Sequence, residues 1–437
     1  MGSGSQLRHS ANASSPANLG PEARLTEARL SEVLRFGVSR AAAWGLGLGV
    51  LGSALALGGC GGPDPARKPV DLSQGVPLGA VLAMSGNANV YGQDQNTGLR
   101  LALAELNGKG GINGKPLALK IEDSGSDEPG ANAAFTLQIN RGVLALIGPT
   151  LSQQAFSADP IAQRRGVPVV APSNTATGIP EIGPFISRVS AQSSVIAPLS
   201  IAKALELHPR IRRAAVFYAQ DDAYSSAETT IFQKALTARG LKPVTVQRTQ
   251  LNDQDFQSQI SAALQQKPDL VVLSLQAVDG GNMIRQLREL GYKGVIVVGN
   301  GMNTPNIYPI CQKYCDGILI AQAYSPELRS AANTTFLRRF QASQGGAIPP
   351  QLTAQAWTAL QVLAEALQRL DRRQPLQQTN LAEARKALMA ELLSGTYQTP
   401  LGEIRFTPEG EVIQKDFFVA QVRMDASGKS GRFALLP

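Results

Sequence analysis

Ser152 in "IGPTLSQQ" and Thr175 in "APSNTA" each stand just past a short apolar run. Ser152 also opens a helical stretch. There its hydroxyl joins the unpaired N–H groups and the positive end of a helix macrodipole, a combination that favours an anion. The same residue types serve equally well as helix caps. Covalent chemistry is poorly supplied. His208 is the only histidine after residue 59, and "AMSGN" around Ser85 is not a nucleophile elbow. A zinc site needs four ligands, so no metal is expected. Binding without catalysis is the expectation.

A G-x-G-x-x-G run, Gly47, Gly49 and Gly52, has the spacing of a dinucleotide fingerprint. That fingerprint requires a strand before it and a helix after it, and here a polar Ser/Ala/Arg-rich stretch comes first. Arg35 and Arg40 precede an uncharged stretch over 41–59 that ends in small residues and Cys60. This is the order of an export signal, and no cofactor is expected. Leu57-Gly58-Gly59-Cys60 also resembles the bacterial lipoprotein box, which implies lipidation of Cys60. An uncleaved membrane anchor is the alternative use of that run.

The chain has 437 residues and a formal charge of +8. Its cations are scattered, whereas nucleic-acid binders cluster theirs, so no nucleic-acid partner is expected. Apart from Cys60, the cysteines are Cys311 and Cys315 in "CQKYC". They are placed either for a local disulfide in an oxidising compartment or as two reduced thiols near a helix end.

The elements that position these groups alternate regularly. "VPLGAVLAM" reads as a strand and "NTGLRLALAELNGKGG" as a helix, with Leu99, Ala102, Leu103 and Leu106 on one face. Strand, helix, strand, helix and strand follow to "VPVVAPS". A second series runs from "SVIAPLSIAKALEL" to "GILIAQA", and a long helix spans about 350–370. Continuous apolar strands separated by helices predict parallel sheets covered on both faces, hence an α/β fold in two lobes. "LGEIRFTPEGEVIQKDFFVAQV" predicts a hairpin turning at Pro408-Glu409-Gly410. Ligands of parallel sheets sit beyond the carboxyl ends of the strands, which is where Ser152 and Thr175 fall.

"AMSGNANVYGQDQNTGLRLALAELNGKGGINGKPL" and "IGPTLSQQAFSADPIAQRRGVPVVAPSNTA" closely resemble the periplasmic leucine/isoleucine/valine-binding proteins that feed ABC importers. So does the G-x-I-x-F-x-x-x-G of 402–410. The resemblance implies two Rossmann-like lobes with parallel central sheets, joined by three crossing segments and closing like a hinged clamp. It implies a signal region at 1–59, a tether at 60–75, one lobe of 76–191 plus 324–396, and a second of 192–323 plus 397–437. The implied protein is a monomeric, extracytoplasmic, membrane-anchored lipoprotein that delivers an amino acid or similar solute to a permease. A sensor for amides, urea or other small solutes, signalling through a membrane partner, is the alternative.

Carried over by position, Ser152 and Thr175 bind the ligand carboxylate, and the Ser173 carbonyl accepts from its ammonium. Tyr91 lines the side-chain pocket, and Tyr224 in "AQDDAYSSA" lies over the ligand. Two positions depart from the pattern. Asn300 in "VGNGMN" stands where the leucine binders carry an acid, and Gln276 in "LSLQAVDGG" stands where they carry a tyrosine. Either Asp222 or Asp279 then supplies the charge for an ammonium, or the solute is no simple branched amino acid. Gln276 and Asn300 suit an amide, a urea-like molecule or a polar amino acid.

Overall fold

The computed structural model describes residues 68–437. The signal region, Cys60 and the first half of the tether, 60–67, lie outside the described residues. The first series is β1 (Val76–Leu82), α1 (Asn89–Gly108), β2 (Leu117–Asp123), α2 (Glu128–Asn140), β3 (Ala145–Ile147), α3 (Ser152–Arg164), β4 (Val169–Ala171) and β5 (Ile186–Arg188). Its strands form one parallel sheet in the order β2-β1-β3-β4-β5, with Leu78 of β1 opposite Leu119 on one side and Ala145 on the other.

The second series is α4 (Ser193–Leu207), β6 (Ala214–Ala219), α5 (Ala223–Thr237), β7 (Thr245–Thr249), α6 (Gln257–Gln265), β8 (Leu270–Ser274), α7 (Ala277–Glu289), β9 (Val295–Val298), α8 (Tyr308–Cys311) and β10 (Leu319–Gln322). Strands β6 to β10 are parallel. β8, "LVVLS", is central and buried throughout, whereas β7 at the edge alternates half-buried and exposed residues. Burial on both faces is what a continuous apolar strand requires.

The rest of the chain comprises α9 (Ala331–Ser343), α10 (Gln351–Arg373), α11 (Leu381–Ser394), β11 (Thr396–Thr399), β12 (Gly402–Phe406), β13 (Val412–Gln414), β14 (Phe418–Met424) and β15 (Gly431–Leu435). The antiparallel pair β14 and β15 completes the second sheet beside β10, so that sheet is parallel except at one edge. β12 and β13 form the expected hairpin, with Gly410 N–H donating to the Thr407 carbonyl at 3.0 Å.

Helix α10 packs its apolar face on α1 and on the first sheet. Gly98 permits that approach, because a Cβ there would collide with the Thr353 carbonyl of α10. Tyr397, Leu401, Ile404 and Phe406 belong to the same core as β1 and α10. The three-stranded sheet β11-β12-β13 therefore shares the apolar core of β1 and α10. A small apolar cluster of Ala191, Ile196, Ala321, Ala323 and Val419 packs separately from the larger cores. Among the described residues, no helix is long and apolar enough to cross a membrane.

Candidate ligand-binding site

The loops beyond the carboxyl ends of both sheets face a common cavity of about 420 Å³, counting the space at its mouth. The first lobe contributes Tyr91, Thr150, Leu151, Ser152, Ser173 and Thr175. The second contributes Asp222, Tyr224, Gln276, Asn300 and Gly301, and Leu352 of α10 completes the wall. Asp279 is not among them.

Ser152 is the first residue of α3. Its Oγ accepts the backbone N–H groups of Thr175 at 3.2 Å and Ala176 at 3.3 Å. Both lone pairs are thereby used, and the hydroxyl proton remains to be donated. Among the described residues the Thr175 hydroxyl has no protein partner, and its carbonyl accepts from Ser193 N–H at 3.1 Å. Two hydroxyl donors thus meet the open first turn of α3. The Ser173 hydroxyl is committed differently: it donates to the Thr150 carbonyl at 2.6 Å and accepts from Gln95 Nε2 at 2.6 Å.

Gln95 and Arg188 are functional supports that residue-type reasoning missed. Gln95, fully buried on α1, accepts from the Thr150 hydroxyl at 2.6 Å through its other amide atom, so one side chain braces the loops after β3 and β4. Its signal was legible: a glutamine one turn before Leu99 on the apolar face of α1. Arg188 is fully buried at the end of β5. It donates to the carbonyls of Asn174 at 3.0 Å and Ala176 at 2.6 Å and pairs with Glu411 in the β12–β13 turn. Only the fold brings that partner near.

The second wall is organised by a buried acid, Glu228, one helical turn after Tyr224 on α5. The Tyr224 hydroxyl donates to Glu228 Oε2 at 2.6 Å and accepts from Gly301 N–H at 2.6 Å. Asn300 N–H donates to Glu228 Oε1 at 3.0 Å. Burial pushes the Glu228 carboxyl up to about 7, against hydrogen bonds that favour its charged form. A carboxylate on a polar-looking helix reads in sequence as a solvated face, which is why it escaped notice.

The two candidate acids separate. Asp222 caps α5, with Oδ2 accepting from Ser225 N–H at 3.2 Å and Ser225 Oγ at 2.8 Å. Its Oδ1 is buried without a well-formed hydrogen bond, and burial raises its pKa against the opposing pull of Ser225 and the nearby Gln276 side chain. Asp279 lies in the first turn of α7 and accepts from Asn252 N–H at 3.1 Å. It serves a neighbouring loop rather than the cavity. Burial raises its carboxyl to about 6.

Tyr91 spans the cleft. Its hydroxyl donates to the Gly301 carbonyl and accepts from Ala277 N–H, both at 2.6 Å. It therefore links the lobes as well as lining the cavity. Cys311 and Cys315 are joined as a disulfide in the turn after α8, away from the cavity, with Cα atoms 5.4 Å apart. Among the described residues, no cluster of three or more His, Cys, Asp or Glu is placed to hold a metal ion.

Two α/β lobes meeting over a cavity at their strand ends, with hydroxyl donors on one side and a buried carboxyl group on the other, define an interlobe solute-binding protein. The chain belongs to the periplasmic binding protein family, which it matches over residues 75–430. It is 23% identical over 349 residues to a Leu/Ile/Val-binding protein of Rhizobium johnstonii, covering 78% of this chain and 90% of the relative. It is 24% identical over 379 residues to a leucine-, isoleucine-, valine-, threonine- and alanine-binding protein of Pseudomonas aeruginosa, covering 86% and 95%. The crystal structure of a leucine-binding protein from Thermotoga maritima superposes with a TM-score of 0.73 at 24% identity, over 83% of this chain and 98% of that one. Solute binding outside the cytoplasm is thus the protein's class of work.

Proposed function

We propose that the protein captures a small zwitterion, an amino acid or close analogue, between its lobes and delivers it to the membrane subunits of an ABC importer. The carboxylate docks at the first turn of α3, taking hydrogen bonds from the Ser152 and Thr175 hydroxyls. The ammonium meets Asp222 Oδ1 and the Ser173 carbonyl. Charge-assisted bonds in a site closed to water are the strong ones, and no covalent step is needed. The protein works as a monomer, anchored through lipidated Cys60, and the lobes close by bending at their three crossings.

The observation that carries this reading is the Ser152 hydroxyl. Two backbone N–H groups occupy its oxygen, and its proton has no better acceptor than an anion in the cavity. A thermal-shift screen with amino acids, amides and urea identifies the solute, because a ligand of the native state raises the melting temperature. Calorimetry on Ser152→Ala and Thr175→Ala then tests the assignment. Each lost charge-assisted bond costs about 1.5–3 kcal/mol, more than tenfold in affinity. Unchanged affinity in the double variant would refute the carboxylate assignment.

A further inference from the structure

Asn300 is part of the cavity wall, and the end of its amide that faces inward decides whether the second lobe offers a donor or an acceptor. That orientation is set from behind by Gln351, the first residue of α10, which is buried outside the cavity. The backbone N–H of Ala323 donates to Gln351 Oε1 at 2.7 Å, and Asn303 Nδ2 donates to the same oxygen at 2.9 Å. Asn303 is itself oriented: its Oδ1 accepts from Gln322 Nε2 at 2.9 Å, and its Nδ2 points to the Ala321 carbonyl at 3.4 Å.

A backbone N–H has no acceptor form, so Gln351 is not free to turn round. Its Nε2 must face Asn300, and it donates to Asn300 Oδ1 at 3.0 Å. The oxygen of Asn300 is thereby used, which leaves Nδ2 as the end without a protein acceptor. The backbone beneath is held as well, by Glu228 on Asn300 N–H and by Tyr224 on Gly301 N–H. A flip of Asn300 would set two NH₂ groups against each other.

We propose that Gln351 is a positioning residue for specificity: by holding Asn300 as a donor, it selects solutes that bring a hydrogen-bond acceptor to the second lobe over aliphatic ones. The proposal rests on the amino-acid reading of the site given above. It predicts an amino acid with an oxygen acceptor in its side chain as the preferred class.

L-methionine and L-methionine sulfoxide differ by one acceptor oxygen and no donor, so calorimetry with this pair on the full chain measures the preference. The sulfoxide is expected to bind about tenfold more tightly, the worth of one well-made hydrogen bond. Gln351→Glu keeps an acceptor for Ala323 and Asn303 but turns the donor toward Asn300 into a second acceptor. Asn300 then swings its Nδ2 to residue 351 and its oxygen to the cavity. The sulfoxide preference falls to parity or below, with the melting temperature little changed. Asn300→Asp leaves Gln351 intact, presents an oxygen to the cavity directly, and gives the same loss should Gln351→Glu fail to fold.

Equal affinities in the unaltered protein, or a sulfoxide preference that survives in both variants, would overturn the proposal. A neutron structure of the unliganded protein reads the orientation with no ligand at all. Deuterons on the cavity end of Asn300 support the proposal, and a bare oxygen there sinks it. If neither probe binds while those deuterons are present, the amino-acid reading fails and the orienting role of Gln351 stands.

Discussion

The Tyr91 hydroxyl on α1 donates to the Gly301 carbonyl at 2.6 Å, from one lobe to the other. The same oxygen accepts from Ala277 N–H at the start of α7, so one phenol serves two backbone groups across the cleft. Opening the lobes must break both bonds. Tyr91→Phe keeps the ring and loses them, leaving a buried carbonyl and a buried N–H to find water. At about 1 kcal/mol net for each bond, the closed form loses about 2 kcal/mol, roughly thirtyfold in affinity. Stopped-flow binding should show the loss in the dissociation rate. An unchanged dissociation rate would mean that Tyr91 does not hold the lobes together.

Glu228 makes stability depend on pH. Burial lifts its carboxyl from the ordinary 4.5 to about 7, so the folded state holds the proton more tightly than the unfolded chain does. The resulting stabilisation is complete below about pH 4.5 and is lost as pH rises through about 7, an effect of up to about 3 kcal/mol. Asp94, half-buried on α1 and accepting from the Thr304 hydroxyl at 3.1 Å, is also lifted to about 7 and acts in the same direction. The melting temperature should therefore be higher at pH 5 than at pH 7.5. Glu228→Gln should flatten the slope between them. A melting temperature that rises from pH 5 to pH 7.5 would contradict this account.

Asp222 and Asp279 should behave oppositely. Asp222→Asn retains an oxygen for the Ser225 cap but removes the charge beside the cavity, so affinity for an α-amino acid should fall more than tenfold, the scale of a charge-assisted bond. Asp279→Asn retains an acceptor for Asn252 N–H at a place the solute does not reach. Its affinity should be unchanged, and its stability should shift by about 1 kcal/mol or less. Parallel calorimetry and thermal melts on the two variants separate the roles.

Residues carried sequence reasoning furthest where one element determines the outcome alone. The run "LVVLS" has to be a doubly covered strand, and Ser152 has to stand at a helix start, whatever surrounds them. Asp279 stands outside the cavity lining, and local pattern does not distinguish an acid that faces a cavity from one in the first turn of a helix. β5 was missed because two of its three residues, Ser187 and Arg188, are polar. Their burial is supported by the Val169 carbonyl and by Glu411, contacts that only the folded chain supplies. The β12–β13 turn read correctly as a hairpin, yet the packing of Tyr397 and Phe406 in the core beneath α10 is something spacing does not report.

The disulfide gives a prediction about stability without function. Cys311 and Cys315 are both buried and close a very short loop beside α7, outside the residues that line the cavity. By chain entropy, so short a loop is worth about 2 kcal/mol, and for a domain of this size that corresponds to a few degrees of melting temperature. Replacing both cysteines with alanine should therefore lower the melting temperature by that amount. Because the turn supports α7 from behind and supplies no residue to the cavity, solute affinity should remain within about threefold, less than the loss of one hydrogen bond. Mass spectrometry of protein unfolded and alkylated without reduction tests the pairing itself: neither cysteine should take up label. Label at both would show the pair to be reduced, and a large loss of affinity in the double variant would tie this turn to the binding site and refute its purely structural role.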